Sequence, residues 1–168
     1  MKKDFKKISY LFMAATILSS TFFSCDSDDN LTPKPEPSEL VLKGELTAEK
    51  KLLSGQTYEL VGGYQVKDGG KLIIEEGVTI KATRSIDGQP DYIIVEQGGQ
   101  IEANGTKVKP VVMSSTKEEP GAWGGLHICG KAPINLAGGT GKSEIGDAEL
   151  GGSDANDNSG TLPVPYPN

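Results

Sequence analysis

Two segments of this chain echo each other. KDGGKLIIEEGVTIKA (67–82) and EQGGQIEANGTKVKPVV (96–112) each open on an acid or amide, then Gly-Gly, a polar residue and an aliphatic one. Gly98 follows Gly69 by 29 residues, a period typical of solenoids and repeat arrays. Around the echo, short β-prone runs recur: YELVG (58–62), YQV (64–66), KLIIE (71–75), VTIKA (78–82), YIIVE (92–96), QIEA (100–103), PVVMSS (110–115) and GLHIC (125–129). Gly, Asn, Asp and Pro lie between them, and beyond the N-terminal leader no stretch of ten residues carries a helical period. The chain therefore reads as all-β, a right-handed parallel β-helix whose inward aliphatics stack coil upon coil and whose tight corners fall to Gly or Asn.

Ile73, Ile80, Ile93, Val95, Ile101, Val111 and Ile128 are the expected inner stack, and TRSIDGQPD (83–91) reads as a loop inserted into one coil. A β-sandwich or jelly roll is the competing fold, and it calls for hairpin turns of the Asn-Gly type. One such pair occurs, Asn104-Gly105, and the TKVKPVV after it could close a hairpin. The glycine echo favours the solenoid.

The chain starts with a basic stretch, Lys2, Lys3, Lys6 and Lys7 against Asp4, then an apolar segment from Ile8 through Leu18. That is the layout of a secretory leader, shorter than a bilayer span requires. Ser24 then precedes Cys25, and Asp26, Asp28 and Asp29 follow. These residues resemble a lipobox with an acidic patch of the kind found in Bacteroidetes-type surface lipoproteins, although Phe22 stands where that pattern prefers leucine. The resemblance implies a lipid on Cys25 and display at the outer membrane. Acyl chains hold a protein to a bilayer through buried CH₂ groups, each contributing on the order of 0.8 kcal/mol. The implied layout is a signal peptide at 1–24, an acidic and Pro-rich tether at 25–39, β-helix coils at 40–162 and a Pro-rich tail at 163–168. Pro33, Pro35 and Pro37 favour an extended spacer and cannot donate to a ladder.

Charge narrows the partners. Loss of residues 1–24 takes four lysines and one aspartate from 17 basic and 23 acidic residues, and leaves a net charge of −9. An acidic surface with a single arginine, Arg84, does not track a phosphate backbone, so no nucleic-acid partner is expected. All four phenylalanines leave with the leader, so the core must be built of Val, Ile and Leu. If Cys25 is acylated, Cys129 has no thiol left to pair with.

Four blocks in order, GGKLIIEEGVTIKA, GGQIEANGTKVKPVVMSS, PGAWGGLHICGKAPIN (120–135) and GGSDANDNSGTL (151–162), resemble a family of Bacteroidetes surface lipoproteins with β-helix repeats. The resemblance spans about residues 56–162 and brings no established activity with it. In the family pattern SGTL leads into further coils, whereas here PVPYPN follows. On that reading the chain is the leading part of a longer solenoid, incomplete at its C-terminal end, with an open edge there.

Residues with chemical potential were weighed one by one. AGGTGKS (137–143) lacks the first glycine of a phosphate loop, since Leu136 stands there, and reads as a surface loop. His127 and Cys129 share a strand face but make only two ligands, fewer than zinc needs. DANDNSG (154–160) starts like a calcium loop, yet Ser159 and Pro165 occupy the positions where Gly and Glu are required, so it reads as a turn with a residual prospect of calcium. Glu75 and Glu76 point apart, and Asp87 and Asp91 read as solvated loop carboxylates with Arg84 as the one cationic partner for an anionic sugar. Trp123 and Tyr92 could stack on a sugar and more readily pack at a coil corner. The expectation is therefore a lipid-anchored, non-catalytic scaffold with a glycan or protein as surface ligand, no catalytic residue, no metal and no cofactor. The alternative is a polysaccharide lyase or hydrolase on the same fold.

Overall fold

A computed structural model describes residues 36–83 and 89–162 of the chain. The leader, Cys25 and most of the tether, Arg84, Asp87 and the tail at 163–168 lie outside the described residues. A 3₁₀ turn at Pro37–Leu40 comes first among the described elements, with the Glu36 amide donating to the Glu39 carboxylate at 3.1 Å. Twelve strands follow: β1 Val41–Leu46, β2 Glu49–Leu52, β3 Thr57–Val66, β4 Lys71–Ile74, β5 Thr79–Ala82, β6 Tyr92–Val95, β7 Gln100–Ala103, β8 Val112–Ser115, β9 Gly125–Ile128, β10 Thr140–Lys142, β11 Glu149–Gly151 and β12 Gly160–Thr161.

Among the described residues all strand pairings but one are parallel, and they wind the chain into a β-helix with three faces. The first face stacks the start of β1, the first half of β3, then β5 and β8. The second stacks the rest of β1, the second half of β3, then β6 and β9. The third stacks β2, β4, β7 and β12. The expected runs 58–62 and 64–66 are thus one strand, β3, that serves two faces. Its neighbours pair 22 residues on at Thr57↔Thr79 and 29 residues on at Gly63↔Tyr92. The seven-residue difference arises because the nine residues 83–91 connect the first and second faces where Val61 and Gly62 alone connect them one coil below.

The glycine echo becomes a corner. Gly70 lies one coil below Gly99, and a Cβ on either would collide with the carbonyl oxygen of Leu46 or Val66 in the coil beneath. Gly98 has φ of +86°, and a Cβ there would also run into the Asp68 carboxylate. Only glycine meets both demands.

Inside, apolar side chains form continuous ladders, as Tyr58–Ile80–Met113, Tyr64–Ile93–Leu126, Leu46–Val66–Val95–Ile128 and Leu52–Ile74–Ala103. Leu42, Leu60, Leu72, Ile74, Ile93 and Ile101 are wholly buried. Two members expected in the stack differ. Ile73 points outward in register with Lys51 and Glu102, while Leu72 and Ile74 point in. Ile128 has the inward phase of Val95 but is 41% exposed, because no coil lies on it among the described residues. Val111 is half-buried against the core.

Candidate binding face

On the second face the outward residues are covered by an excursion of the chain. After β9 the backbone leaves the helix and folds β10 and β11 into an antiparallel pair, Thr140↔Gly151 and Lys142↔Glu149, before returning at β12. The excursion lies over Ile94 and Cys129 and adds its own Ala148, and the three make a small second core with Tyr92 and Leu150 beside it. The Tyr92 ring rests where a Cβ on Gly63 would sit, 2.5 Å from its hydroxyl end, so the glycine one coil below makes room for the aromatic. Tyr92 and Trp123 are both packed: Tyr92 under the excursion and Trp123 against the main core.

Gln97 fastens the excursion to the coil corner. Its side-chain amide donates to the carbonyl oxygens of Gly151 at 2.7 Å and Gly130 at 3.3 Å, one at each end of the excursion. Between corner and hairpin lies a polar cleft of about 380 Å³, lined by Gln65, Lys67, Glu96, Gln97, Asp147 and Glu149. The Lys67 ammonium donates to Glu96 at 2.6 Å and reaches Glu45 at 3.4 Å. The hydrogen bond to Glu96 raises the Lys67 pKa, burial opposes it, and the Glu96 charge and then the hydrogen bond and charge of Glu45 add to the rise. On the rim, Lys142 pairs with Asp147 at 2.8 Å, and Asp147 itself sits at φ of +54° in the left-handed region. The cleft thus carries four carboxylates, Glu45, Glu96, Asp147 and Glu149, with two ammonium groups, Lys67 and Lys142, already paired to three of them. Such a surface favours neutral polyols and cationic groups over polyanions.

The sequence candidates fall into place around this face. His127 points outward in register with Ile94, and its Nε2 hydrogen-bonds the Gly124 carbonyl at 2.8 Å. Cys129, just beyond β9, is buried under the excursion. Burial pushes its thiol pKa up, a hydrogen bond with Ser143 pulls the other way, and the Glu96 charge adds a smaller upward push. The two side chains share a face as expected, with the histidine held by a backbone carbonyl and the cysteine buried with Ile94 and Ala148. AGGTGKS supplies β10 and the glycine turn before it, and Lys142 points to Asp147. DANDNSG makes tight turns of its own: the Asp154 carboxylate accepts from the Asn156 amide and the Asn158 side-chain oxygen from the Gly160 amide, both at 3.0 Å. Among the described residues, no three His, Cys, Asp or Glu side chains converge as metal ligands.

The two adjacent glutamates diverge. Glu75 accepts from the Ser54 amide in the coil below at 2.9 Å, whereas Glu76 meets Lys109 in the coil above at 3.0 Å. They bolt three successive corners together. Asp91 corrects an expectation: far from solvated, it is completely buried, and its Oδ1 accepts a 2.7 Å hydrogen bond from the Gly62 amide. Gly62 and Asp91 are again 29 residues apart, so the carboxylate anchors the end of the inserted loop one coil above that amide. Cys25 lies outside the described residues. Gln97, Lys67 and Glu96 were not singled out from the sequence; the one signal for them is their place beside the echoing glycine pairs, at the corners.

A family model described as a pectate-lyase-like β-helix domain matches residues 44–164. No curated protein and no solved structure matches the chain.

Proposed function

The chain belongs to the family of pectate-lyase-like β-helix domains, and on that premise we propose that it is a non-catalytic, surface-displayed binding scaffold, anchored to the outer membrane by a lipid on Cys25. The observation that carries the scaffold reading is the use made of polar groups at the cleft. Gln97 spends its amide on two backbone carbonyls, Lys67 is held between two glutamates, and Lys142 is held by Asp147. These side chains fix a hairpin onto a coil. A general acid or base, by contrast, must be able to reach a substrate proton. The anchoring reading rests on the leader, the Ser24-Cys25 junction and the acids after it. The ligand of the exposed faces is a glycan or a protein.

Palmitate labelling of the full chain in a bacterial host tests the anchor: label that disappears in Cys25→Ala supports it, and label that persists removes it. Family membership favours a second reading, a carbohydrate-active protein working at the same cleft. Turnover of neutral or acidic polysaccharides that is lost in Glu96→Gln would establish that reading in place of the first.

A further inference from the structure

The excursion over the second face is held together mostly by its own bonds. The Ser143 amide donates to the Ala148 carbonyl oxygen at 2.8 Å, and the Ala148 amide donates back to the Ser143 hydroxyl oxygen at 3.0 Å. Lys142 pairs with Asp147 within the same hairpin. The two ends of the excursion meet at its base, where the Gly151 amide donates to the Gly130 carbonyl oxygen at 2.9 Å. Fixings to the coils are fewer: the two bonds from the Gln97 amide, a hydrogen bond between Ser143 and Cys129, and the small core. That core has three buried residues, Ile94, Cys129 and Ala148, against fifteen in the main cluster among the described residues. A segment with little buried apolar contact opens at lower free energy than the body it rests on.

We propose that residues 131–152 form a hinged strap that opens as a unit while the coils stay folded, and that its closure builds the polar cleft. The cleft has two walls. Gln65, Lys67, Glu96 and Gln97 stand on the coils, and Asp147 and Glu149 stand on the strap. Lifting the strap removes one wall and uncovers Tyr92, Ile94 and Cys129. The hinge lies at the base. Gly151 has φ of +89° there, with Gly152 after it, and glycine backbone rotates at little steric cost. Because the ends already meet at Gly130 and Gly151, the strap can lift without stretching the stack beneath it. A molecule touching both walls holds the strap shut, and an open strap lowers the apparent affinity by the fraction of time it is open. This gating role rests on the cleft being the binding site, whereas the opening itself does not.

Thiol labelling tests the opening on the full 168-residue chain carrying Cys25→Ala, which leaves Cys129 as the one thiol in the sequence. Cys129 is 2% exposed when the strap is closed, so an aromatic disulfide reagent reaches it only on opening. Trp123 packs against the main core, and its fluorescence reports unfolding of the coils. In dilute urea, labelling should run roughly tenfold or more faster than unfolding of the coils allows. Its urea dependence should also be weaker, since less surface is exposed. Two variants separate strap from stack. Gln97→Ala should speed labelling several-fold. Ile74→Val, a mild change in the buried interior of β4, should lower the Trp123 midpoint and leave labelling in dilute urea unchanged. Labelling that shares the urea dependence of Trp123 and quickens in Ile74→Val would show strap and coils to be one unit and overturn the proposal. So would labelling indifferent to Gln97→Ala.

Discussion

The first and the last described coils of the stack differ in how their apolar interiors are covered. At the first, the chain covers its own interior: Leu40 of the 3₁₀ turn and Leu46 pack against the core, and Leu42 and Leu52 in the opening coil are fully buried. Lys50 takes the inward register position above which Leu72 sits, and as a long, amphipathic side chain it covers apolar surface while its ammonium stays wet. At the other, Met113 and Leu126 are only partly covered, and Ile128 and Leu162 stand well exposed at the ends of otherwise buried ladders. Apolar residues take most of the inward positions at both ends, Lys50 being the exception. What differs, among the described residues, is whether a neighbouring segment covers the outermost layer, which is the nearest-neighbour character of repeat proteins.

The sharpest way to break this comparison is to truncate one inward aliphatic residue at each end. Leu42→Ala, at the closed end, should lose about 2–5 kcal/mol in urea denaturation, the range for a fully buried leucine. Ile128→Ala, at the open end, should lose under about 1.5 kcal/mol, since much of its side chain is already in contact with water. Equal losses would erase the distinction. Next in size is Asp91→Ala, which strands the Gly62 amide and should cost about 1–3 kcal/mol, while Asp91→Asn retains an acceptor and should recover part of it. Gln97→Ala is a smaller and more local change, about 1 kcal/mol. Hydrogen exchange should quicken across residues 140–151 and stay unchanged in β4 and β7, because the hairpin alone depends on that amide.

The comparison can also be probed through pH. Burial pushes the Tyr64 hydroxyl up to about 12 from 10.0. A group whose folded pKa is raised lends its full stability below the unfolded value and loses it as pH climbs through the folded one. Stability carried by neutral Tyr64 should therefore be intact below pH 10 and fall between pH 10 and 12. The ultraviolet titration of tyrosinate checks this, with Tyr64→Phe removing the highest-pH step and a single step near pH 10 in the parent refuting it.

Much of the middle of the stack was legible from sequence. The strands β4 to β7 fall inside the runs read as β-prone, and the 29-residue echo marks glycine pairs that do stack. The phase at Leu72-Ile73-Ile74 was harder, because three successive apolar residues suit either face. The echo contained the answer: GGKLII aligned on GGQIEA sets Ile73 against Glu102, and a glutamate faces out. Asp91 left no local trace, since its partner is a backbone amide one coil away. Nor did VLKGEL and EKKL announce β1 and β2, where charged residues break the alternation and pairing to the next coil makes the strand. The antiparallel hairpin was read as a glycine-rich loop because its fixings, Gln97 and the small core around Cys129, come from distant parts of the chain.

The coil stacking itself has one direct test. Adjacent strands β4 and β7 run parallel with Lys71 opposite Gln100 and Ile73 opposite Glu102. Nuclear Overhauser measurements on the isotopically labelled chain should therefore show amide-to-α-proton contacts that advance together along the two strands, Lys71 to Gln100 and onward to Ile74 with Ala103. Contacts that run in opposite senses, as in a hairpin-built sandwich, would contradict the β-helix and everything drawn from its two ends.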